Sequence, residues 1–196
     1  MKIHLIRHGK TLANEKKLYC GQTDLPLSEN GTEEIIRLKN QGIYPSADIF
    51  YTSGLIRSEQ TVDIIYGEVF RKAISDIVEF KFGLFEMKSY EELKDQEDYQ
   101  AWITDETGNF QCPQGESKKQ FEKRVIGGYN SIISEVSQSA DCSVFVSCHG
   151  GVIVCIMEYL MPNIKNFYEW QPEPGRGYTL VYDSGKLKMY NKIYNN

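Results

Sequence analysis

Ile3-His4-Leu5-Ile6-Arg7-His8-Gly9-Lys10-Thr11 is the stretch that decides how this 196-residue chain is read. Ile3 to Ile6 is a short apolar run with the look of a buried strand, and a guanidinium and an imidazole follow where it ends. Open α/β sheets place their ligands in the crevice outside the carboxyl ends of the strands, so Arg7 and His8 stand where chemistry is done. Gly9 lets the chain turn sharply there.

Working outward, strand-like apolar runs alternate with helical periodicity, the pattern of βαβ units and a mostly parallel sheet. A loop through Pro26 leads to a helix from Ser28 that carries Ile35, Ile36 and Leu38 and ends near Gly42. Asp48 to Thr52 reads as a second strand, Leu55 to Val69 as a helix, and Ile74 to Phe80 as a third strand. An acidic helix is expected over Tyr90 to Trp102. Ser117 with Gln120 forms a capping box that opens a long helix with Phe121, Val125, Tyr129, Ile132 and Val136 on its apolar face. Val144 to Cys148 is a strand buried on both faces, Val152 to Leu160 a helix stopped by Pro162. Thr179 to Tyr182 and Leu187 to Ile193 flank the turn Asp183-Ser184-Gly185 as a hairpin. The expected architecture is an α/β fold, a three-layer α/β/α sandwich on a mostly parallel central sheet with a C-terminal antiparallel hairpin. It forms a single domain over residues 1–196 with a cap-like insertion at about 88–116.

A chain of this length buries roughly 70% of its unfolded surface in one core. The net charge of −5 argues against a nucleic-acid surface, which needs clustered Lys and Arg. The N-terminal apolar run is too short for a signal peptide or a membrane span, so a cytoplasmic protein without membrane partners is expected. Five cysteines with no Cys-x-x-Cys spacing disfavour both a disulfide framework and a zinc ribbon.

Four expected strands end near candidate chemical groups: Arg7 and His8, then Arg57, then Glu79, then His149 followed by Gly150 and Gly151. Parallel strands put their carboxyl ends on one edge, so these groups would meet. Two guanidiniums can clamp phosphate oxygens, a neutral imidazole can attack phosphorus in line, and a carboxyl group can move the proton. The guanidiniums supply the charge that Mg²⁺ supplies elsewhere, so neither a metal nor a cofactor is expected.

At this point the chain resembles the histidine phosphatase superfamily, which includes phosphoglycerate mutases and α-ribazole phosphatases. Arg7-His8-Gly9 with Thr11 and Asn14 resembles the family's Arg-His-Gly-x-Thr-x-x-Asn, which implies that His8 takes the phosphoryl group while Arg7 and Asn14 contact phosphate. Gly21-Gln22-Thr23-Asp24 through Leu27-Ser28 and Gly31 is similar to a family segment whose loop borders the substrate, so Gly21 and Gln22 become candidate binding residues. Thr52-Ser53-Gly54-Leu55-Ile56-Arg57-Ser58-Glu59-Gln60-Thr61 resembles Ser-x-Leu-x-Arg-Ala-x-Gln-Thr and assigns the second phosphate arginine to Arg57. Ser58 stands where Ala is usual and Gly54 where Pro or Asp is. Among several glutamates, the register of Glu79-Phe80-Lys81-Phe82-Gly83-Leu84-Phe85-Glu86 selects Glu79 as the acid, with Glu86 as its companion and Met87 in place of a usual Gly. Ser147-Cys148-His149-Gly150-Gly151 resembles Ser/Thr-His-Gly-Gly, implying that His149 and Gly150 bind phosphate. Pro113-x-Gly115-Glu116-Ser117 also recurs in the family.

Bland alternatives stand beside these: Cys148 reads as a buried strand residue, and Asn14 as a helix or turn cap. Competing chemistries fail on single residues. A P-loop ending in Gly9-Lys10-Thr11 needs Gly where His4 stands, a cysteine phosphatase needs Arg where Val154 follows Cys148, and a His-x-x-x-His zinc pair at His4 and His8 lacks its Glu at Leu5. Gly175-Arg176-Gly177 reads as a loop at the pocket mouth with Arg176 as a candidate substrate contact. The expectation is a metal-independent phosphatase acting on a small phosphorylated metabolite, α-ribazole phosphate or a sugar phosphate, through a phosphohistidine. The alternatives are mutase-type transfer and a non-catalytic phosphate-binding regulatory module, and a homodimer is kept open as the assembly.

Overall fold

A computed structural model describes residues 1–137 and 141–193. The chain runs β1 (Lys2–Arg7), α1 (Leu12–Glu15), α2 (Glu29–Asn40), β2 (Ile49–Thr52), α3 (Ile56–Tyr66) and β3 (Lys72–Ala73). It continues through two 3₁₀ turns, Ser75–Ile77 and Gly83–Phe85, into α4 (Tyr90–Leu93), α5 (Glu97–Thr104), α6 (Lys118–Val136), β4 (Ser143–Cys148) and α7 (Gly150–Leu160). Helix α8 (Phe167–Trp170) and the hairpin β5 (Gly177–Asp183) and β6 (Lys186–Ile193) complete it. The sheet order is β3-β2-β4-β1-β5-β6, parallel through its first four strands and antiparallel at β5 and β6. No helix among the described residues is long and apolar enough to cross a membrane.

Alternation along the strands sorts side chains between two helical layers. Ile3, Leu5, Tyr51, Val144 and Val146 pack with Val125 and Tyr129 of α6 and Val152, Ile153 and Ile156 of α7. Ile6, Phe50 and Phe145 face Ile35 of α2 and Val62 and Ile65 of α3. Strand β1 is fully flanked, and its one polar interior residue ties both neighbours: His4 is hydrogen-bonded to Thr179 Oγ1 on β5 and Ser143 Oγ on β4, each at 2.9 Å.

The capping box at Ser117 and Gln120 starts α6 as expected, α3 stops at Gly67, whose φ is +78°, and the hairpin turns at Ser184 and Gly185, both at positive φ. Two expectations are corrected. Ile74 to Phe80 is not a strand: β3 holds only Lys72 and Ala73, and the chain then coils, with Ile77 N–H returning to the Ile74 carbonyl. Its apolar side chains find burial elsewhere. Ile77 is fully buried among core residues that include Val125 and Tyr129 of α6, and Phe80 joins an aromatic cluster with Phe82, Trp102 and Phe121. The acidic helix expected over Tyr90 to Trp102 is broken into α4 and α5. Leu93 and Tyr99 are both buried, yet six residues apart they would point about 120° apart on one helix. A break at 94–96 lets both reach the core.

Candidate active site

The register sets Arg7 beside Cys148 and Thr52 beside Ser147, so β1, β2 and β4 end on one edge. His8, Ser53 and His149 are the next residues along. Strand β5 begins at the same edge, since Gly177 pairs with Ile6, and delivers residues 172–176 beside Arg7. That loop grips the end of β1: Arg7 N–H donates to the Arg176 carbonyl and Gly175 N–H to the Arg7 carbonyl, both at 2.9 Å.

His8 is 5% exposed. Its Nδ1 lies 2.6 Å from its neighbour's carbonyl, Gly9 O, which only accepts, so Nδ1 carries the proton. Arg57 Nε–H, which only donates, points at Nε2 from 3.3 Å. Both contacts demand the same tautomer, with the lone pair on Nε2. Burial, then the Arg57 and Arg7 guanidiniums, hold the imidazole well below its ordinary titration range, so at neutral pH it is uncharged.

Arg57 is 1% exposed and spread across the loop before α2: Nη1 donates to Thr23 O at 2.8 Å and Nη2 to Gly21 O at 2.5 Å. Thr61 Oγ1 on the next turn of α3 accepts the Gly9 N–H at 3.1 Å and fixes the chain just past His8. The loop itself hangs on Glu86. Its carboxylate accepts N–H bonds from Gly21, Gln22, Thr23 and Phe82 and the Thr23 hydroxyl, at 2.8 to 3.4 Å. Gly21 is pressed so close to Phe80 that a Cβ would fall 1.6 Å from its carbonyl oxygen. Asp24 Oδ1 accepts the Ile56 N–H, supplying the start of α3 with the cap that Leu55 lacks.

His149 occupies the N-cap position of α7 without a side-chain capping bond, is fully buried, and lies 5.0 Å from His8 between ring centroids. Its Nε2 is 2.8 Å from Ser53 Oγ, while its Nδ1 has no hydrogen-bond partner among the described residues. Burial and the His8, Arg57 and Arg7 groups depress its pKa as well. Arg7 holds Pro172 O at 2.8 Å through Nη1, and its Nε is likewise buried without a partner. An unsatisfied buried polar atom costs about 1–3 kcal/mol. Two in one pocket mark it as built to receive a polar group.

Glu79 lies not at a strand end but in the coil beyond β3, and still reaches the cluster. Its carboxylate accepts the Gly151 N–H at the start of α7 and its neighbour's Phe80 N–H, each at 3.0 Å. Gly151 is a glycine for this reason: a Cβ there would stand 2.5 Å from Glu79 Oε1.

The structure thus brings Arg7, His8, Arg57, Glu79, His149 and Gly150 to one sheet edge, with Gly21 behind Arg57. Asn14 has its side-chain oxygen engaged in capping α1, where it accepts from Thr11 N–H at 3.0 Å. Gln22 is exposed. Arg176 is paired with Glu34 at 3.3 Å and lines a cavity of about 330 Å³ with Gln171, Pro172 and Glu173. Trp170 is fully buried beneath Tyr178 and Tyr190, and Trp102 packs among Tyr19, Phe80, Phe82, Phe85 and Tyr99. Cys148 is buried, its thiol pushed up by burial, as a strand residue should be. Ser58 ties α3 to β4 by donating to Ser147 O, and Met87 adopts a left-handed φ of +60°. Ser53, Thr61 and Pro172 escaped the sequence reading of roles, although Ser53 and Thr61 bracket the very segment that selects Arg57.

Among the described residues no group of three or more His, Cys, Asp or Glu could hold a metal ion. The pocket offers an anion two guanidiniums, a neutral imidazole with its lone pair directed, a second imidazole with a spare nitrogen, and a carboxyl group. That set suits a tetrahedral oxyanion.

Known proteins resemble the chain in sequence and in fold. Residues 3–192 match the model of the histidine phosphatase superfamily (branch 1). An adenosylcobalamin/alpha-ribazole phosphatase of Salmonella typhimurium is 30% identical over 166 residues, covering 82% of this chain and 80% of that protein. A protein of Cronobacter sakazakii named probable phosphoglycerate mutase GpmB is 25% identical over 164 residues, covering 82% and 75%. The crystal structure of an alpha-ribazole phosphatase from Shigella flexneri superposes with a TM-score of 0.85 at 24% identity, over 100% of this chain and 96% of that one.

Proposed function

The chain belongs to the histidine phosphatase superfamily, and from that membership and the pocket geometry we propose that it hydrolyses a small phosphomonoester through a phosphohistidine at His8. The observation that carries the reading is the His8 tautomer: proton on Nδ1 toward Gly9 O, lone pair on Nε2 beside Arg57.

In the first step Nε2 of His8 attacks phosphorus, a P–N bond forms and the ester P–O bond breaks. Glu79, in its acid form, gives its proton to the departing oxygen. Arg7 and Arg57 compensate the charge spread over the equatorial oxygens. Ser53 Oγ can donate to His149 Nε2 at 2.8 Å, which leaves Nδ1–H as a donor for a phosphoryl oxygen. In the second step the Glu79 carboxylate takes a proton from water as that water attacks phosphorus. The P–N bond breaks, inorganic phosphate leaves, and His8 is neutral again. The guanidiniums carry the electrostatic load, so the reaction is proposed to need no metal.

The name of the Salmonella relative makes α-ribazole phosphate the first substrate to try, with sugar phosphates beside it. The segment 88–116, with α4 and α5, is proposed as the cap over the pocket. Relatives named as phosphoglycerate mutases favour a second reading, in which the phosphoryl group returns to a reoriented product. The departures at Gly54, Ser58 and Met87, which would have supported a non-catalytic module, fall at turn and packing positions rather than on the reacting groups.

Phosphate release from an aryl phosphate with and without EDTA tests the reading, and a panel with α-ribazole phosphate, sugar phosphates and 3-phosphoglycerate tests the substrate. Turnover should survive chelation, and quenched enzyme should carry acid-labile, alkali-stable phosphate. Label that persists in His8→Ala would move the nucleophile elsewhere.

A further inference from the structure

Glu79 sits on no regular element, yet a proton donor must be held within a fraction of an ångström of its task. The coil on both sides of it is fastened by one ion pair that rises from α6. Arg124 Nη1 donates to the carbonyls of Asp76 at 3.0 Å and Val78 at 2.6 Å, and Nη2 donates to the carbonyl of Glu79 itself at 2.9 Å. The same guanidinium holds both oxygens of Glu116 along its Nε–Nη2 edge, at 2.9 Å and 2.5 Å. Glu116 in turn accepts the Lys81 N–H at 2.7 Å, and its own N–H donates to the Lys81 carbonyl at 3.0 Å. The grip straddles Glu79, with residues 76, 78 and 79 on Arg124 and residue 81 on Glu116. Both side chains are largely buried, 20% and 11% exposed.

Such a network is more than a coil needs merely to stay folded, since Ile77 and Phe80 already anchor it in the core. We infer that Arg124, braced by Glu116, is a positioning residue that sets the Glu79 carboxyl for proton transfer to the leaving group, an inference that rests on Glu79 being the proton donor. Only a guanidinium can serve it: five donors in a rigid plane engage a carboxylate and three carbonyls at once, whereas an ammonium is a point charge.

The test reads leaving-group dependence, which a loss of packing alone would not alter. Wild type, Arg124→Ala, Arg124→Lys, Glu116→Gln and Glu79→Gln are compared by kcat/KM on 4-nitrophenyl phosphate, whose leaving group needs little protonation, and on 2-glycerophosphate, whose alkoxide needs a proton. General acid catalysis contributes about 10²–10⁴-fold, so Arg124→Ala should lose about 30- to 100-fold on the alkyl ester and under about 3-fold on the aryl ester. Arg124→Lys should fail to restore the alkyl rate. Glu116→Gln, which keeps size and one acceptor, should show the same asymmetry more weakly and covers the case in which the Ala variant does not fold. Equal losses on both esters in the Arg124 and Glu116 variants, with Glu79→Gln still asymmetric, overturn the inference alone. A Glu79→Gln variant that slows both esters equally overturns the assignment of the donor.

Discussion

Glu86→Ala should cost both stability and turnover, and Glu86→Gln much less of each. The Glu86 carboxylate serves four donors in the loop that carries Gly21 and Thr23, and a fifth, the Phe82 N–H, beside its own turn. After truncation the Gln22 N–H, on an exposed residue, can turn to water, and the Thr23 hydroxyl can rotate to a new partner. The N–H groups of Gly21, Phe82 and Thr23 remain partly buried without an acceptor. At the low end of the penalty for an unsatisfied donor, about 1 kcal/mol each, the loss is about 3 kcal/mol. Glutamine keeps one oxygen for Gly21, Gln22 and Phe82 and can place its amide toward the Thr23 hydroxyl, so its cost is about 1 kcal/mol. Urea unfolding followed by circular dichroism measures both, and melting should fall by about 6–12 °C for the alanine variant. Because the carbonyls of Gly21 and Thr23 hold Arg57, kcat/KM should fall in the alanine variant even at temperatures where it is folded. Stabilities of the two variants within about 0.5 kcal/mol of each other, or an alanine variant with wild-type kcat/KM, would refute the reasoning.

Two more expectations follow from the histidines and from Gly151. His4, His8 and His149 all have depressed folded-state pKa values, with burial as the leading cause, His4 at about 4. Unfolded imidazoles take up protons below about 6.5, so the stability these residues confer is intact above that pH and is lost as pH falls. The His4 share runs out at about pH 4. Unfolding free energy measured from pH 7 down to 4.5 should drop, and His4→Gln should flatten the slope; an unchanged slope contradicts its burial as a neutral clamp. Gly151→Ala should displace the Glu79 carboxylate, lower kcat/KM on alkyl phosphates about 10²-fold and leave the melting temperature within a few degrees of wild type, because the clash is with the end of a flexible side chain.

How much of this was legible in the sequence depends on how far apart the partners lie. The strands at Ile3 to Ile6 and Val144 to Cys148 and the box at Ser117 announce themselves locally, and the sheet follows from their alternation with helices. Ile74 to Phe80 misled because apolar residues look the same whether a sheet or an aromatic cluster takes them, and only tertiary packing sent Phe80 to Trp102 and Phe121. Leu93 and Tyr99 carried only a faint hint of their break, since about 120° apart on one helix they would lie at the margins of its apolar stripe. Glu86 stood out only through the family register, as the companion of Glu79, and Arg124 not at all, because their partners lie up to 65 and 48 residues away. Asn14 was readable both ways, and its oxygen is used in the cap.

The strand order carries a consequence for how the pocket comes into being. Strand β1 leaves the ribosome ahead of the other described strands, yet its two neighbours are β4 and β5, so its pairing partners begin about 140 and end about 180 residues later. Contacts this distant close slowly, and until they do an apolar strand waits unpaired and open to wrong partners. His8, translated well before its partners, waits longest to be enclosed: Arg57 and Thr61 can meet it only after α3 exists, His149 only after β4, and the carbonyl that holds Arg7 only when Pro172 arrives. A nascent chain that stops before β4 holds His8 without His149 or Pro172, so the pocket forms only after the segment from β4 to Pro172 has been made.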